Sequence, residues 1–174
     1  SYLQNLNVLS PFESAESLLE HLKGKTTIGV FGHFDAGKST VLNVILGTDL
    51  LPARYQPATS VVNLLMHTSD RPDSLSGQVA VFKKGFKPHM ISSPKLVEKY
   101  LIEQGSKEIL HRLGLHNYDT EEVSEAYIAV AFSDAEILKD VWLLDTPGDM
   151  NSADESDTEK ALAGVELVHG IVYV

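Results

Sequence analysis

Gly32-His33-Phe34-Asp35-Ala36-Gly37-Lys38-Ser39 reads G-x-x-x-x-G-K-S, a phosphate-binding loop. Its two glycines let the backbone curl so that several N–H groups face one point. That point lies at the start of a helix, where unpaired N–H groups and the helix dipole favour an anion. Lys38 is placed to reach the β- and γ-phosphates of a nucleotide, and the Ser39 hydroxyl to ligate Mg²⁺. The flanks agree. Residues 26–31 (TTIGVF) read as a short buried strand. Residues 39–46 read as a helix with Val41, Leu42, Ile45 and Leu46 on one side and Gly47 as its stop. A strand, a phosphate loop and a helix in that order predict an α/β domain built on a sheet.

The chain has 174 residues, enough for one domain with a sizeable core, and its 43% apolar content is ordinary for a globular protein. It has no cysteine, which excludes a disulfide framework and a thiolate metal site. The start shows no basic region followed by an apolar stretch, and no apolar run approaches the roughly 18 residues needed to span a bilayer. A soluble, cytoplasmic protein is therefore expected. A net charge of −10 counts against nucleic acid as a partner, because phosphate backbones are held by clustered Lys and Arg. A nucleotide is not excluded, since backbone and one lysine can hold it. The basic cluster Lys83, Lys84 and Lys87 around Gly85 and Phe86 reads as a solvated turn.

Along the chain, Ser10-Pro11-Phe12-Glu13 starts a helix with a capping box, expected over 11–23. Its stripe of Phe12, Ala15, Leu18, Leu19 and Leu22 can pack on this domain or meet a partner from elsewhere in the protein. Residues 50–60 form a loop with two prolines. Strands are expected over 61–66 and 78–82, joined by the polar stretch 68–77 as a hairpin. Ser93-Pro94 opens a helix running to Gly105 with Leu96, Val97, Tyr100 and Leu101 on one face. Ile109, Leu110 and Leu113 mark a shorter helix closed by Gly114. Residues 127–132 alternate as a half-buried strand does. Residues 141–144 are continuously apolar, as in a strand buried on both faces, with Trp142 in the core. That strand ends at Asp145-Thr146-Pro147-Gly148. Ser156 with Glu159 caps a helix carrying Leu162, Val165 and Val168, and 171–174 reads as another buried strand. His111 and His116 have no metal-ligand spacing. Asp154, Glu155 and Asp157 read as a solvated loop and cap.

Three elements stand in order: the phosphate loop, Pro57-Ala58-Thr59, and Asp145-x-x-Gly148. Ligands of open α/β sheets sit beyond the carboxyl ends of the strands, where the last two elements are expected. There Asp145 can organise Mg²⁺, the Gly148 N–H can meet a γ-phosphate, and Thr59 can close over the metal. The set resembles a dynamin-like GTPase, and bacterial members of that family more than animal ones. Residues 32–39 match its first motif, Thr59 the switch-one threonine, and 145–148 the D-T-P-G form of its third motif. Leu50-Leu51-Pro52 ahead of Pro57-Ala58-Thr59 is also similar. Lys38 and Asp145 stand 107 positions apart, further than in a minimal small GTPase.

The resemblance covers about 26–174 and implies a P-loop GTPase domain, α/β, with a mostly parallel sheet enlarged between switch one and D-T-P-G. It implies that 25–174 is the N-terminal part of this domain and that 1–24 is a helix contributing to a neck bundle. The guanine-reading N-K-x-D motif is then expected after Val174, so the domain is expected to be incomplete at that end. It also implies binding of GTP and GDP and Mg²⁺-dependent hydrolysis of the γ-phosphate, coupled to self-assembly and to membrane remodelling. The implied nucleotide contacts are Gly32, His33, Phe34, Asp35, Ala36, Gly37, Lys38, Ser39, Thr40 and Gly148. The implied metal ligands are Ser39, Thr59 and Asp145. Catalysis would fall to Lys38, Thr59 and Asp35, with a monovalent cation beside Asp35. Implied partners are a guanine nucleotide, further copies of the chain through the GTPase domain, and a membrane surface reached by regions outside this sequence, but no nucleic acid. That places the protein in the cytoplasm, peripheral at a membrane. Two departures stand out: Phe34 and Asp35 replace the glutamine and serine of many dynamins. Asp149 stands where small GTPases place a water-orienting glutamine. Competing readings are another P-loop GTPase, acting with ribosomes or tRNA, and a nucleotide-dependent scaffold with little turnover. The acidic balance and long insertion oppose the former.

Overall fold

The computed structural model describes residues 24–33, 36–52, 61–114, 126–146 and 167–174. The helices expected over 11–23 and after Ser156 lie outside them, as do Phe34, Asp35, Thr59 and Gly148. Seven strands form one sheet: β1 (Thr26–Phe31), β2 (Val62–His67), β3 (Val79–Lys83), β4 (Leu101–Gly105), β5 (Ala126–Ser133), β6 (Val141–Asp145) and β7 (Gly170–Tyr173). Their order is β4-β3-β5-β2-β6-β1-β7. β1 runs parallel to β6 and β7, and β2 parallel to β5. The joins β2–β6, β3–β5 and β3–β4 are antiparallel. Among the described residues the α-helices are α1 (Lys38–Leu46), α2 (Pro94–Tyr100) and α3 (Glu108–Gly114). This is the α/β architecture expected from the phosphate loop.

Strand side chains alternate between two faces, and each face has its own core. One gathers Val30, Leu65, Val79, Val81, Ala131 and Leu143 under Leu42 and Leu46 of α1 and Ile109, Leu110 and Leu113 of α3. The other gathers Leu64, Met66, Phe82, Val130, Trp142 and Leu144 against Phe86, Ile91 and Val97. Phe82 and Phe86 stack at 3.9 Å between centroids, which ties the 83–87 turn to the second core.

Several local expectations are corrected. Strands 61–66 and 78–82 do not form a hairpin, because β5 lies between β2 and β3. All six residues of β2 are buried, so it has neighbours on both edges, and Val130 of β5 pairs with both Leu64 and Ala80. The helix expected to reach Gly105 stops at Tyr100, and 101–105 pairs antiparallel with β3 as β4. Without that pairing the outer edge of β3 would be left open, and this need overrides the helical spacing. β5 is buried on both faces over 128–132 rather than half-buried, because both cores cover it. On α1 only Leu42 and Leu46 of the expected stripe are buried, while Val41 and Ile45 are about half exposed. The short helix meets the sheet along a narrow line. β7 is exposed rather than buried: Ile171, Val172 and Tyr173 keep 56%, 51% and 66% of their surface. Among the described residues it pairs only with β1, at the sheet's edge.

Candidate nucleotide site

β1 and β6 lie side by side in parallel register, with Val30 opposite Asp145. Their carboxyl ends therefore open at one place, and the 32–39 loop crosses it. Gly37 is the N-cap of α1 with φ 84°, a left-handed conformation, and a Cβ there would meet nothing within 4 Å. Backbone conformation alone calls for glycine there. Gly32 is held by a different cause. A Cβ there would lie 2.2 Å from the carbonyl oxygen of Val174, whose N–H donates to Phe31 O at 2.8 Å. The end of β7 thus passes against the start of the loop.

Lys38 is buried, and its ammonium donates to Gly32 O at 3.0 Å and His33 O at 2.8 Å. The Ser39 hydroxyl donates to Asp145 Oδ2 at 2.9 Å, joining α1 to the end of β6. Asp145 is 1% exposed, and its Oδ1 has no hydrogen-bond partner among the described residues. Burial pushes its carboxyl up to about 6, against the Ser39 hydrogen bond, the Lys38 charge and a pull from Asn63, all of which favour the charged form. Asn63 faces Asp145 across the β2–β6 pairing, close enough to polarise it but without a well-formed bond to Oδ1. Next along the chain, the Thr146 hydroxyl donates to Val30 O at 2.9 Å and fastens the chain to β1 just after Asp145.

These residues fit a magnesium ion. A buried carboxylate with an unpartnered oxygen and a serine hydroxyl are hard oxygen donors, the kind Mg²⁺ takes. Among the described residues there is no cluster of three or more His, Cys, Asp and Glu side chains to form an all-protein cage. That agrees with an ion held by one carboxylate and by substrate phosphates.

Of the residues singled out from the sequence, the structure brings together Gly32, His33, Ala36, Gly37, Lys38, Ser39 and Asp145. Thr40 is exposed in the first turn of α1. Phe34, Asp35, Thr59 and Gly148 fall outside the described residues. Sequence reasoning missed Asn43. Its Oδ1 accepts the N–H groups of Leu50 (3.2 Å) and Leu51 (2.9 Å), and its amide donates to Leu51 O at 2.8 Å. It thereby satisfies the backbone of two leucines buried in the core without a strand to pair them. A poor helix former inside a short helix was the available signal. Asn63 was missed too, because nothing in its spacing marks it, and Thr146 was read only as part of the D-T-P-G motif, with no role of its own. No helix among the described residues is long and apolar enough to cross a membrane.

Comparison with known proteins follows the same line. The Dynamin family sequence model matches residues 28–174. Dynamin-like protein 2 of Campylobacter jejuni is 28% identical over 177 residues, which covers 94% of this chain and 24% of that protein. The bacterial dynamin-like protein of Nostoc punctiforme is 26% identical over 145 residues, covering 83% of this chain and 19% of that protein. The chain thus spans about a quarter or less of these relatives. A solved bacterial dynamin, described as an oligomerised pair that senses and tethers membranes over long range, shares the fold. It superposes with a TM-score of 0.58 at 23% identity, over 93% of this chain and 22% of the solved one.

Proposed function

Because the chain belongs to the dynamin family, we propose that it is the phosphate- and metal-binding part of a GTPase that hydrolyses the γ-phosphate of GTP with Mg²⁺. The observation that carries this reading is the meeting of Lys38, Ser39 and Asp145, with its unpartnered buried oxygen, at the carboxyl ends of β1 and β6. The loop N–H groups and the Lys38 ammonium hold the phosphates. Lys38 already points over the loop, so trading carbonyl partners for phosphate oxygens needs only side-chain movement. Its charge then opposes the negative charge that develops during transfer. Ser39 and Asp145 would hold the ion, which when bound would supply positive charge to offset that of the phosphates. Thr59 is assigned a third metal contact, Gly148 an N–H toward the γ-phosphate, and Asp35 a monovalent cation, all from their places in the family's motifs. Coupling to self-assembly and to a membrane is proposed by likeness to the oligomerised, membrane-tethering dynamin pair, and a cytoplasmic place, peripheral at a membrane, from the family resemblance read in the sequence.

The test uses the full-length protein with fluorescent GTP and GDP, ATP as competitor, and a phosphate-release assay. Lys38→Ala should weaken GTP binding on the order of 100-fold, the loss expected for charge-assisted bonds to phosphate. Ser39→Ala should raise the Mg²⁺ requirement while sparing GDP. Equal competition by ATP would overturn guanine selectivity. Tight binding with no phosphate release would favour the scaffold reading.

A further inference from the structure

The Lys38 ammonium rests on the carbonyls of Gly32 and His33. When it turns to a phosphate, the peptides that carry those carbonyls lose charge-assisted bonds, which are among the strong ones. What holds Gly32 and His33 then decides how well the loop keeps its place. From within the loop, the Ala36 N–H donates to His33 O at 3.2 Å.

From outside, the end of β7 closes on the same two residues. Tyr173 stands opposite Phe31 in the parallel β1–β7 register. The Val174 N–H donates to Phe31 O at 2.8 Å, and the Val174 carbonyl oxygen lies where a Cβ on Gly32 would be 2.2 Å away. One residue further along the loop, the His33 ring stands edge-on to the Tyr173 ring. Their centroids are 6.1 Å apart and their planes cross at 86°. Ring quadrupoles favour that arrangement. Both residues are exposed, so the pair adds little to the sheet's core. It bears instead on the peptide that Lys38 releases. The motif engages the backbone of His33, which leaves its imidazole for this second task.

We propose that His33 and Tyr173 are positioning residues, whose edge-to-face contact props the start of the phosphate loop against β7 while Lys38 trades carbonyl partners for phosphate. The inference rests on the nucleotide-binding reading above. A loop that has lost its prop must be ordered at the expense of binding. The loss falls on GTP and GDP alike, because the loop N–H groups serve phosphates that both carry. Bound nucleotide restores the loop, so turnover at saturation is spared.

The test uses the full-length protein, with fluorescent GTP and GDP and a phosphate-release assay. Tyr173→Ala and His33→Ala should each raise the Kd for both nucleotides about two- to tenfold, the range that an aromatic pair supplies. In Tyr173→Ala the KM for GTP should rise with the Kd while kcat holds. The double variant should bind no more weakly than either single one, since one contact is lost in all three. Tyr173→Phe keeps the ring and should bind as the native protein does. Without nucleotide, the Ala36 amide should exchange faster in Tyr173→Ala than in Tyr173→Phe, and the β6 amides at the native rate in both, which separates a loosened loop from a misfolded domain. Unchanged Kd in Tyr173→Ala, additive losses in the double variant, or equal losses in Tyr173→Phe and Tyr173→Ala would overturn the proposal. A native protein that binds neither nucleotide would sink the GTPase reading instead, and the Ala36 exchange comparison would still decide whether the pair holds the loop.

Discussion

Asparagine in place of Asp145 keeps the shape of the side chain and removes its charge, so it isolates the cost of burying that charge. The carboxyl sits at about 6 in the fold against a reference value of 3.8, chiefly because burial disfavours the ionised form. The folded state therefore holds its proton more tightly than the unfolded state. No penalty exists below pH 3.8; it grows between 3.8 and 6 and is complete above. Worked through linkage, the nucleotide-free protein loses about 3 kcal/mol at pH 7.5 and about 1.6 kcal/mol at pH 5. The neutral amide avoids this loss. Exchange of amide protons in β1 and β6, corrected for intrinsic rates and read where opening of the sheet limits it, should slow in Asp145→Asn. The expected gain in protection is on the order of 100-fold at pH 7.5 and nearer tenfold at pH 5. The same variant should lose most of the extra protection that Mg²⁺ with nucleotide confers on the native protein. An equal gain at both pH values, or no gain, would refute the assignment of Asp145 as a buried charge awaiting a cation.

Gly37→Ala should cost about 1–2 kcal/mol through the left-handed conformation alone, whereas Gly32→Ala should cost more because a Cβ collides with the Val174 backbone; comparing the two melting temperatures checks the order. Asn43→Ala leaves the buried N–H groups of Leu50 and Leu51 without an acceptor and should cost about 2–4 kcal/mol. Asn43→Asp, which retains the acceptor, should lose less in chemical denaturation. The Thr27 N–H, in a residue 1% exposed, donates to His169 Nδ1 at 3.0 Å. His169→Ala should therefore destabilise by about 1–3 kcal/mol, and His169→Asn, whose side-chain oxygen can stand near Nδ1, should recover much of that. Equal losses in the two His169 variants would show that the acceptor is unimportant.

Features governed by nearest neighbours were legible in the sequence. The phosphate loop was, because glycine conformation and an open helix end are local properties. So were the bounds of α1, closed by Gly47 in the left-handed conformation with its N–H on Val44 O. β1 and β6 could be read because a short, continuously apolar run has few other places to go. Whatever depended on a distant neighbour was decided by tertiary structure. β2, β3 and β5 each read as a strand, but their apolar patterns do not say which edge meets which, so the insertion of β5 went unseen. Residues 101–105 carry helical spacing yet complete the edge of β3. Gly32 looks like a phosphate-loop glycine from its motif, while the fold adds the close approach of Val174. The sequence placed Asp145 at a strand end. Only the packed sheet buries it, leaves one oxygen without a partner and raises its pKa, since burial and long-range hydrogen bonds exist only once remote segments have come together.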